Sequence, residues 1–323
     1  MKALSLLSGG LDSILAAKVV MEQNIEVIGI CFVTPFFGPE NARLAARTLG
    51  IKHIEHDFTE EYFEMMKNPR YGFGGNMNPC IDCHGLMLKT AHSLLEKYDA
   101  FFLITGEVLG ERPMSQTRGG LNAVLKLSAD RDLVLRPLSA KLLEPTKPER
   151  EGWVDRERLY DFSGRGRKRQ EELAKKFGIK EYPQPAGGCL LTEERYSQRL
   201  KELISHEGLN RRDAELLNIG RHFRLDAKTK LMVGRNRSEN QRLLELAAES
   251  DTVIRPAENI KGPVGIIRGE ISDDILENAG KIIARYCDRQ EDEAVGINIY
   301  NGGKKETITV MKPNENHVLK WQI

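Results

Sequence analysis

Ser8-Gly9-Gly10-Leu11-Asp12-Ser13, directly behind the apolar run Ala3 to Leu7 and ahead of the helix-like segment Ile14 to Met21, decides the fold. The order is strand, tight loop, helix. Two adjacent glycines let the backbone turn without a Cβ and bring bare N–H groups up to an anion, and Ser8 and Ser13 add hydroxyl donors at the helix N-terminus. The expected anion is a pyrophosphate. The longer phosphate loop that ends in Gly-Lys-Ser/Thr is excluded because no lysine is present; Asp12 stands where it can hold Mg²⁺ against the phosphates. A plain helix cap with turn glycines is the alternative, and strand, aspartate and second serine in register weigh against it.

Outward from the loop, Glu26 to Val33 reads as a buried parallel strand and Pro39 to Leu49 as a helix that stops at Gly50. Lys52 to His56 is a third strand, Glu60 to Met66 a short helix, residues 68–79 an Asn/Gly/Pro-rich loop, Leu86 to Lys97 a helix and Phe101 to Thr105 a strand. Leu133 to Leu135 supplies the last strand. Such alternation predicts an α/β fold with a doubly wound parallel sheet, whose ligands sit beyond the carboxyl ends of the strands, where Ser8, Thr34 and Gly106 fall. From about Gly220, strands at Arg221 to Leu225, Lys230 to Val233, Val264 to Ile267 and Thr307 to Met311, with a helix at Asp273 to Tyr286, predict a smaller α+β domain. The expected division is a nucleotide domain over 1–175, a connecting segment over 176–218 and a C-terminal domain over 219–323.

The 323 residues suffice for two or three domains, and a formal net charge of +1 gives no global nucleic-acid signature. The average hides an asymmetry. Residues 150–240 hold 21 Lys/Arg against 15 Asp/Glu, leaving 27 against 32 elsewhere. The basic middle contains Gly164-Arg165-Gly166-Arg167-Lys168-Arg169, a run that suits a phosphate backbone, with a solvated helix start as the alternative. No apolar run approaches the ~20 residues of a membrane helix, so the chain is expected in the cytoplasm, away from membranes.

In that compartment five cysteines are thiols rather than a disulfide framework. Cys80-Ile81-Asp82-Cys83-His84 sets a Cys-x-x-Cys where a glycine-rich loop meets a helix, and Pro183-Gln184-Pro185-Ala186-Gly187-Gly188-Cys189 presents a third cysteine on a Pro- and Gly-shaped loop. Three chemistries stay open: an iron–sulfur cluster with three thiolate ligands, a persulfide-carrying redox pair, and a zinc site that would add His84. Cys31 and Cys287 read as core residues.

The SGGLDS loop resembles that of the PP-loop ATP pyrophosphatases. Asn78-Pro79-Cys80 to His84, Thr105-Gly106-Glu107-Val108-Leu109-Gly110 with Ser115-Gln116, and Ala186 to Leu191 are similar to the tRNA-thiolating branch, closest to tRNA 4-thiouridine synthases of the three-cysteine, 4Fe–4S type; the likeness runs over about 1–205. This resemblance implies an ATP- and Mg²⁺-dependent tRNA sulfurtransferase that adenylates a uridine carbonyl oxygen and replaces it with sulfur from sulfide or a cysteine desulfurase-derived source. It implies that Ser8, Gly9, Gly10, Leu11, Asp12 and Ser13 hold ATP, with Phe32, Gly106, Glu107, Ser115 and Gln116 closing the nucleotide site. Asp12 would carry the Mg²⁺, and Cys80, Cys83 and Cys189 would ligate the cluster.

Typical members of that branch carry an RNA-binding THUMP module ahead of the loop, and some a rhodanese domain at the end; here the loop opens the chain. Val233-Gly234-Arg235-Asn236 with Glu239-Asn240, and Gly262-Pro263-Val264 to Arg268, resemble instead the RNA-binding domain of NFACT proteins. RNA capture is thus expected at the C-terminal end, with Arg235 and Arg237 joining Arg165, Arg167, Lys168 and Arg169 on tRNA. Another PP-loop ligase, or an RNA-binding adaptor that keeps ATP only as a switch, are the competing readings.

Overall fold

The computed structural model describes residues 1–182 and 189–323. The chain forms two compact units, Met1–Thr192 and Glu193–Ile323.

In the first unit, β1 (Lys2–Leu6), β2 (Glu26–Val33), β3 (His53–Asp57), β4 (Phe102–Ile104) and β5 (Val134–Leu135) form one sheet in the order β3-β2-β1-β4-β5. Every pairing is parallel. Strands buried on both faces read as unbroken apolar runs, which is why β2 keeps six consecutive buried residues after Glu26. The covering helices are α1 (Leu11–Met21), α2 (Glu40–Leu49), α3 (Thr59–Lys67), α4 (Cys80–Ser93), α5 (Arg118–Leu127), α6 (Lys147–Arg150) and α7 (Lys168–Lys176). Helix α1 buries Leu11, Ile14, Leu15, Val19 and Val20 in the main core, alongside Leu7 and Phe102. Order reverses on either side of β1, so the crevice beyond β1 and β4 is where such a sheet takes a ligand.

Two expectations need correction. The helix expected from Leu86 starts at Cys80 and ends at Ser93, followed by a separate 3-10 turn at Glu96–Tyr98. Both cysteines of the Cys-x-x-Cys therefore lie in its first turn, which Asp82 ties to the preceding loop by accepting from the backbone N–H of Arg70 and Tyr71 at 2.8 and 3.0 Å. Helix α5 was not anticipated, because its Gly119-Gly120 pair reads as a turn; Thr117 caps it by accepting from Gly120 N at 3.0 Å.

The second unit contains α8 (Glu194–His206), α9 (Arg211–Leu217), β6 (Arg221–Arg224), β7 (Lys230–Val233), α10 (Arg237–Leu246), β8 (Thr252–Pro256), β9 (Gly265–Arg268), α11 (Asp273–Arg285), β10 (Ala294–Asn301) and β11 (Lys304–Met311). Its sheet runs β11-β10-β8-β9-β7-β6 and is antiparallel throughout. Helix α11 packs Ile275, Ala279, Ile282 and Ile283 into a core with Val295 and Ile297. The sequence reading omitted β8, β10 and α10. The first ends in a proline, the second is interrupted by Gly296 and Asn298, and the third has Leu243 as its one buried side chain.

Candidate functional site

The loop turns at Gly9, whose φ of +82° suits glycine and where a Cβ would lie 2.2 Å from the backbone carbon of Asn41 at the start of α2. Ser8 Oγ accepts from Gly10 N at 3.3 Å and lies 3.3 Å from Ser13 Oγ, which donates to Gly10 O at 2.8 Å. Gly10 has room for a Cβ, and Leu11 is buried in the core. Beyond β4, Gly106 presses on the loop: a Cβ there would stand 2.5 Å from Ser13 N and 2.7 Å from the carbonyl carbon of Asp12. Strand end and loop share one crevice.

Glu107, the next residue, is buried and fully engaged. Its carboxylate takes Arg136 Nε at 2.8 Å, Thr105 Oγ1 at 3.1 Å and His84 Nδ1 at 3.0 Å. Burial pushes Glu107 up, but Arg136 and His84 outweigh it and hold the carboxyl at about 2. An ionised carboxylate only accepts, so His84 Nδ1 carries the proton. Glu107 thus links the crevice to α4 rather than offering a free carboxylate to a nucleotide. Ser115 and Gln116 are buried in the segment ahead of α5, with Gln116 O accepting from Gly110 N at 2.7 Å, and Phe32 is buried in β2 against His56 and Phe58.

Cys80 opens α4 one helical turn before His84, Cys83 directly precedes His84, and Asn78 Nδ2 reaches Cys80 Sγ at 3.2 Å. The Pro- and Gly-shaped loop expected over 183–188 lies outside the described residues, but Cys189 follows it, exposed, at the head of the 3-10 turn Leu190–Thr192. Cys189 O accepts from Thr192 N and Thr192 Oγ1 at 2.8 and 2.7 Å, while Thr192 O accepts from Asn76 Nδ2 at 2.7 Å. Burial pushes the Cys83 thiol well up, and the charges of Cys189 and Cys80 push it further. A donor set whose thiolates repel one another fits a cationic group in chemistry. In spacing, no three His, Cys, Asp or Glu among the described residues are arranged to hold a metal ion. Cys31 and Cys287 are buried, and burial raises each thiol to about 11, as core residues require.

The basic run does not act as a block. Arg165, Lys168 and Arg169 are exposed, with Arg169 paired to Asp161 at 2.5 Å and stacked on Phe162. Arg167 turns inward instead and places Nη2 3.2 Å from Asp12 Oδ2 and Nε 4.0 Å from Glu111 Oε1. In the second unit, exposed Arg235 is clamped to Glu239 at 2.5 Å and Arg237 is exposed at the start of α10. Sequence reasoning missed Glu111, Arg136 and the Asn76–Thr192 tie. One signal was available for Arg167: a phosphate loop without its own lysine needs a cation from elsewhere.

A parallel sheet of this order, with a lysine-free Ser-Gly-Gly loop beyond its first strand, defines a doubly wound α/β domain. Two family models match: the one described as Thiamine biosynthesis protein (ThiI) over residues 1–141, and the one described as NFACT protein RNA binding domain over residues 220–322. The chain is 31% identical over 149 residues to a tRNA-specific 2-thiouridylase MnmA of Bartonella henselae, an overlap of 39% of this chain and 34% of the relative. It is 31% identical over 130 residues to a probable tRNA sulfurtransferase of Methanosarcina mazei, covering 38% and 31%. The chain thus spans about a third of the length of these curated relatives. A crystal structure of a 4-thiouridine synthetase–RNA complex with bound ATP is 22% identical, covers 55% of this chain and 51% of that chain, and superposes with a TM-score of 0.36. Among the described residues no helix is long and apolar enough to cross a membrane.

Proposed function

We propose that the protein is an ATP-dependent tRNA sulfurtransferase, a thiouridine synthase of the cytoplasm. One observation carries the reading. Gly106 abuts the phosphate loop, and the next residue, Glu107, holds His84, which follows Cys83 in α4. Nucleotide loop and thiols are joined through one strand end.

In this account Ser8 to Ser13 bind the ATP phosphates, with Asp12 on Mg²⁺ and Phe32, Gly106, Ser115 and Gln116 closing the site. The uridine carbonyl oxygen attacks the α-phosphorus and pyrophosphate leaves; a sulfur nucleophile then adds at the activated carbon and AMP departs with the oxygen. Backbone N–H groups of the loop neutralise the departing pyrophosphate. Cys80, Cys83 and Cys189 would hold a 4Fe–4S cluster, which supplies an open iron for the sulfur donor. The region over 1–175 serves as the ATP-binding domain, 176–218 brings in the third cysteine, and 219–323 contributes RNA contacts.

A second route needs only two thiols, and among the described residues no three His, Cys, Asp or Glu are arranged to hold a metal ion. A cysteine persulfide gives its outer sulfur to the activated carbon as AMP leaves, and a neighbouring thiolate then attacks the inner sulfur, so that two thiols are oxidised to a disulfide as the transferred sulfur is reduced. Iron analysis of anaerobically prepared protein separates the routes. The cluster reading expects brown protein that loses iron and activity together on changing Cys80, Cys83 or Cys189 to Ala; colourless, iron-free and fully active protein assigns the reaction to the persulfide.

A further inference from the structure

Arg167 lies 155 residues beyond Asp12 in the chain, yet their side chains meet. Their side chains are 19% and 17% exposed, and that of Glu111, beside them, 9%. A buried ion pair with a purely structural task satisfies its polar atoms. Glu149, 2% exposed, does so: one oxygen meets Arg156 and the other accepts from Thr146 N and Thr146 Oγ1 at 2.8 and 2.6 Å. The group at the phosphate loop does not. Asp12 Oδ1, Glu111 Oε2 and Arg167 Nε are all buried with no hydrogen-bond partner. Arg112 acts on Asp12 and Glu111 only through its charge, with no hydrogen bond to either.

We propose that Arg167 is the cation of the ATP phosphate site and that Glu111 joins Asp12 as the second carboxylate ligand of the divalent ion bound there. The arrangement is an exchange of partners. In this structure the guanidinium rests on Asp12; a polyphosphate would offer it acceptor oxygens in the forked geometry that arginine matches. Its departure frees Asp12 Oδ2, and the oxygens of Asp12 and Glu111 then face a divalent ion, whose hard charge suits paired carboxylates with phosphate oxygens. Arg167 so replaces the lysine that the loop lacks, and it is withdrawn from the tRNA-facing set.

The inference rests on the reading that this chain binds ATP, and the test keeps the two apart. ATP binding to the full chain is measured calorimetrically with and without MgCl₂, Mn²⁺ binding in the presence of ATP by electron paramagnetic resonance, and tRNA binding in parallel. Arg167→Ala should weaken ATP binding by at least about tenfold, the scale of a lost charged hydrogen bond, while tRNA affinity and its salt dependence stay unchanged. Arg167→Lys should recover part of the loss. Glu111→Gln should leave metal-free ATP binding intact and weaken Mn²⁺ binding roughly tenfold. Should Arg167→Ala fail to fold, the lysine and glutamine variants carry the test. Wild-type nucleotide and Mn²⁺ binding in the variants overturns the inference alone, as does a loss of tRNA affinity in Arg167→Ala with ATP binding kept. A wild-type chain that binds no ATP overturns the parent reading and this one with it.

Discussion

The side-chain amide of Asn76 donates to the carbonyl oxygen of Thr192 at 2.7 Å, across 116 residues of chain. Thr192 in turn caps its own turn on Cys189 O. The loop that leads into Cys80 is thereby fastened to the turn that carries the third cysteine. Replacing Asn76 with Ala removes one hydrogen bond, with an expected cost of about 1 kcal/mol in global stability. The larger expected effect is on function: thiolation by Asn76→Ala should fall well beyond what that destabilisation explains, and chemical denaturation alongside a thiolation assay checks it. Equal, small losses in both would leave the tie without a functional part.

Gly106 admits no side chain, because its Cβ would meet the backbone of Ser13 and Asp12. Neither neighbour can retreat, since both begin the central helix α1. Gly106→Ala should therefore abolish ATP binding while circular dichroism stays close to wild type. Gly10→Ala, where a Cβ would make only an ordinary contact with Ser8 Oγ at 3.5 Å, is the informative contrast and should fold normally.

The Glu107–Arg136 pair has a pH signature. The folded carboxyl is held at about 2 against an ordinary value of 4.5, so its contribution is complete above 4.5 and is lost as the pH falls through about 2. Glu107→Gln leaves Arg136 buried without its counter-charge and should cost about 3 kcal/mol at neutral pH. The gap between variant and wild type should shrink as the solution is acidified from pH 5 to pH 2, measured by urea unfolding; a gap independent of pH would remove the charge from the explanation.

The exposed basic residues make a separate prediction. Changing Arg165 and Lys168 together to Ala should weaken tRNA binding and lower the slope of log affinity against log salt by about one to two, with ATP binding unchanged, whereas Arg169→Ala should do less because Asp161 already pairs with it. Arg235→Ala should do less, because Glu239 already neutralises that guanidinium. An unchanged salt slope in the double variant would take this run off the RNA.

The parallel sheet was legible because strands buried on both faces, such as β2, leave an unbroken apolar signature, and because Ser-Gly-Gly-x-Asp-Ser between strand and helix states its own backbone geometry. The two-residue β5 was legible only from the company of the others. The start of α4 was hidden because Cys, Asp and His open the helix without apolar periodicity, and Gly119-Gly120 disguised α5. At the site, residues local to one motif could be read, whereas contacts made by the folded chain could not. Arg167 sits in a run of positive charge that looks uniform in sequence, and only packing turns one of its members towards Asp12 while its neighbours face solvent. Glu111 has no motif at all; its meaning comes from Asp12 beside it.

The most direct test of the central claim is anaerobic incubation of the full chain with ATP, Mg²⁺, unmodified tRNA and, in parallel arms, sulfide or a persulfide-charged cysteine desulfurase, followed by nucleoside mass spectrometry and assay of AMP and pyrophosphate. The account predicts thiouridine with AMP and pyrophosphate released in proportion to it, lost in Cys80→Ala, Cys83→Ala and Cys189→Ala and kept in Cys31→Ala and Cys287→Ala. No thiouridine across a full tRNA pool, from protein that binds both ATP and tRNA, would contradict it.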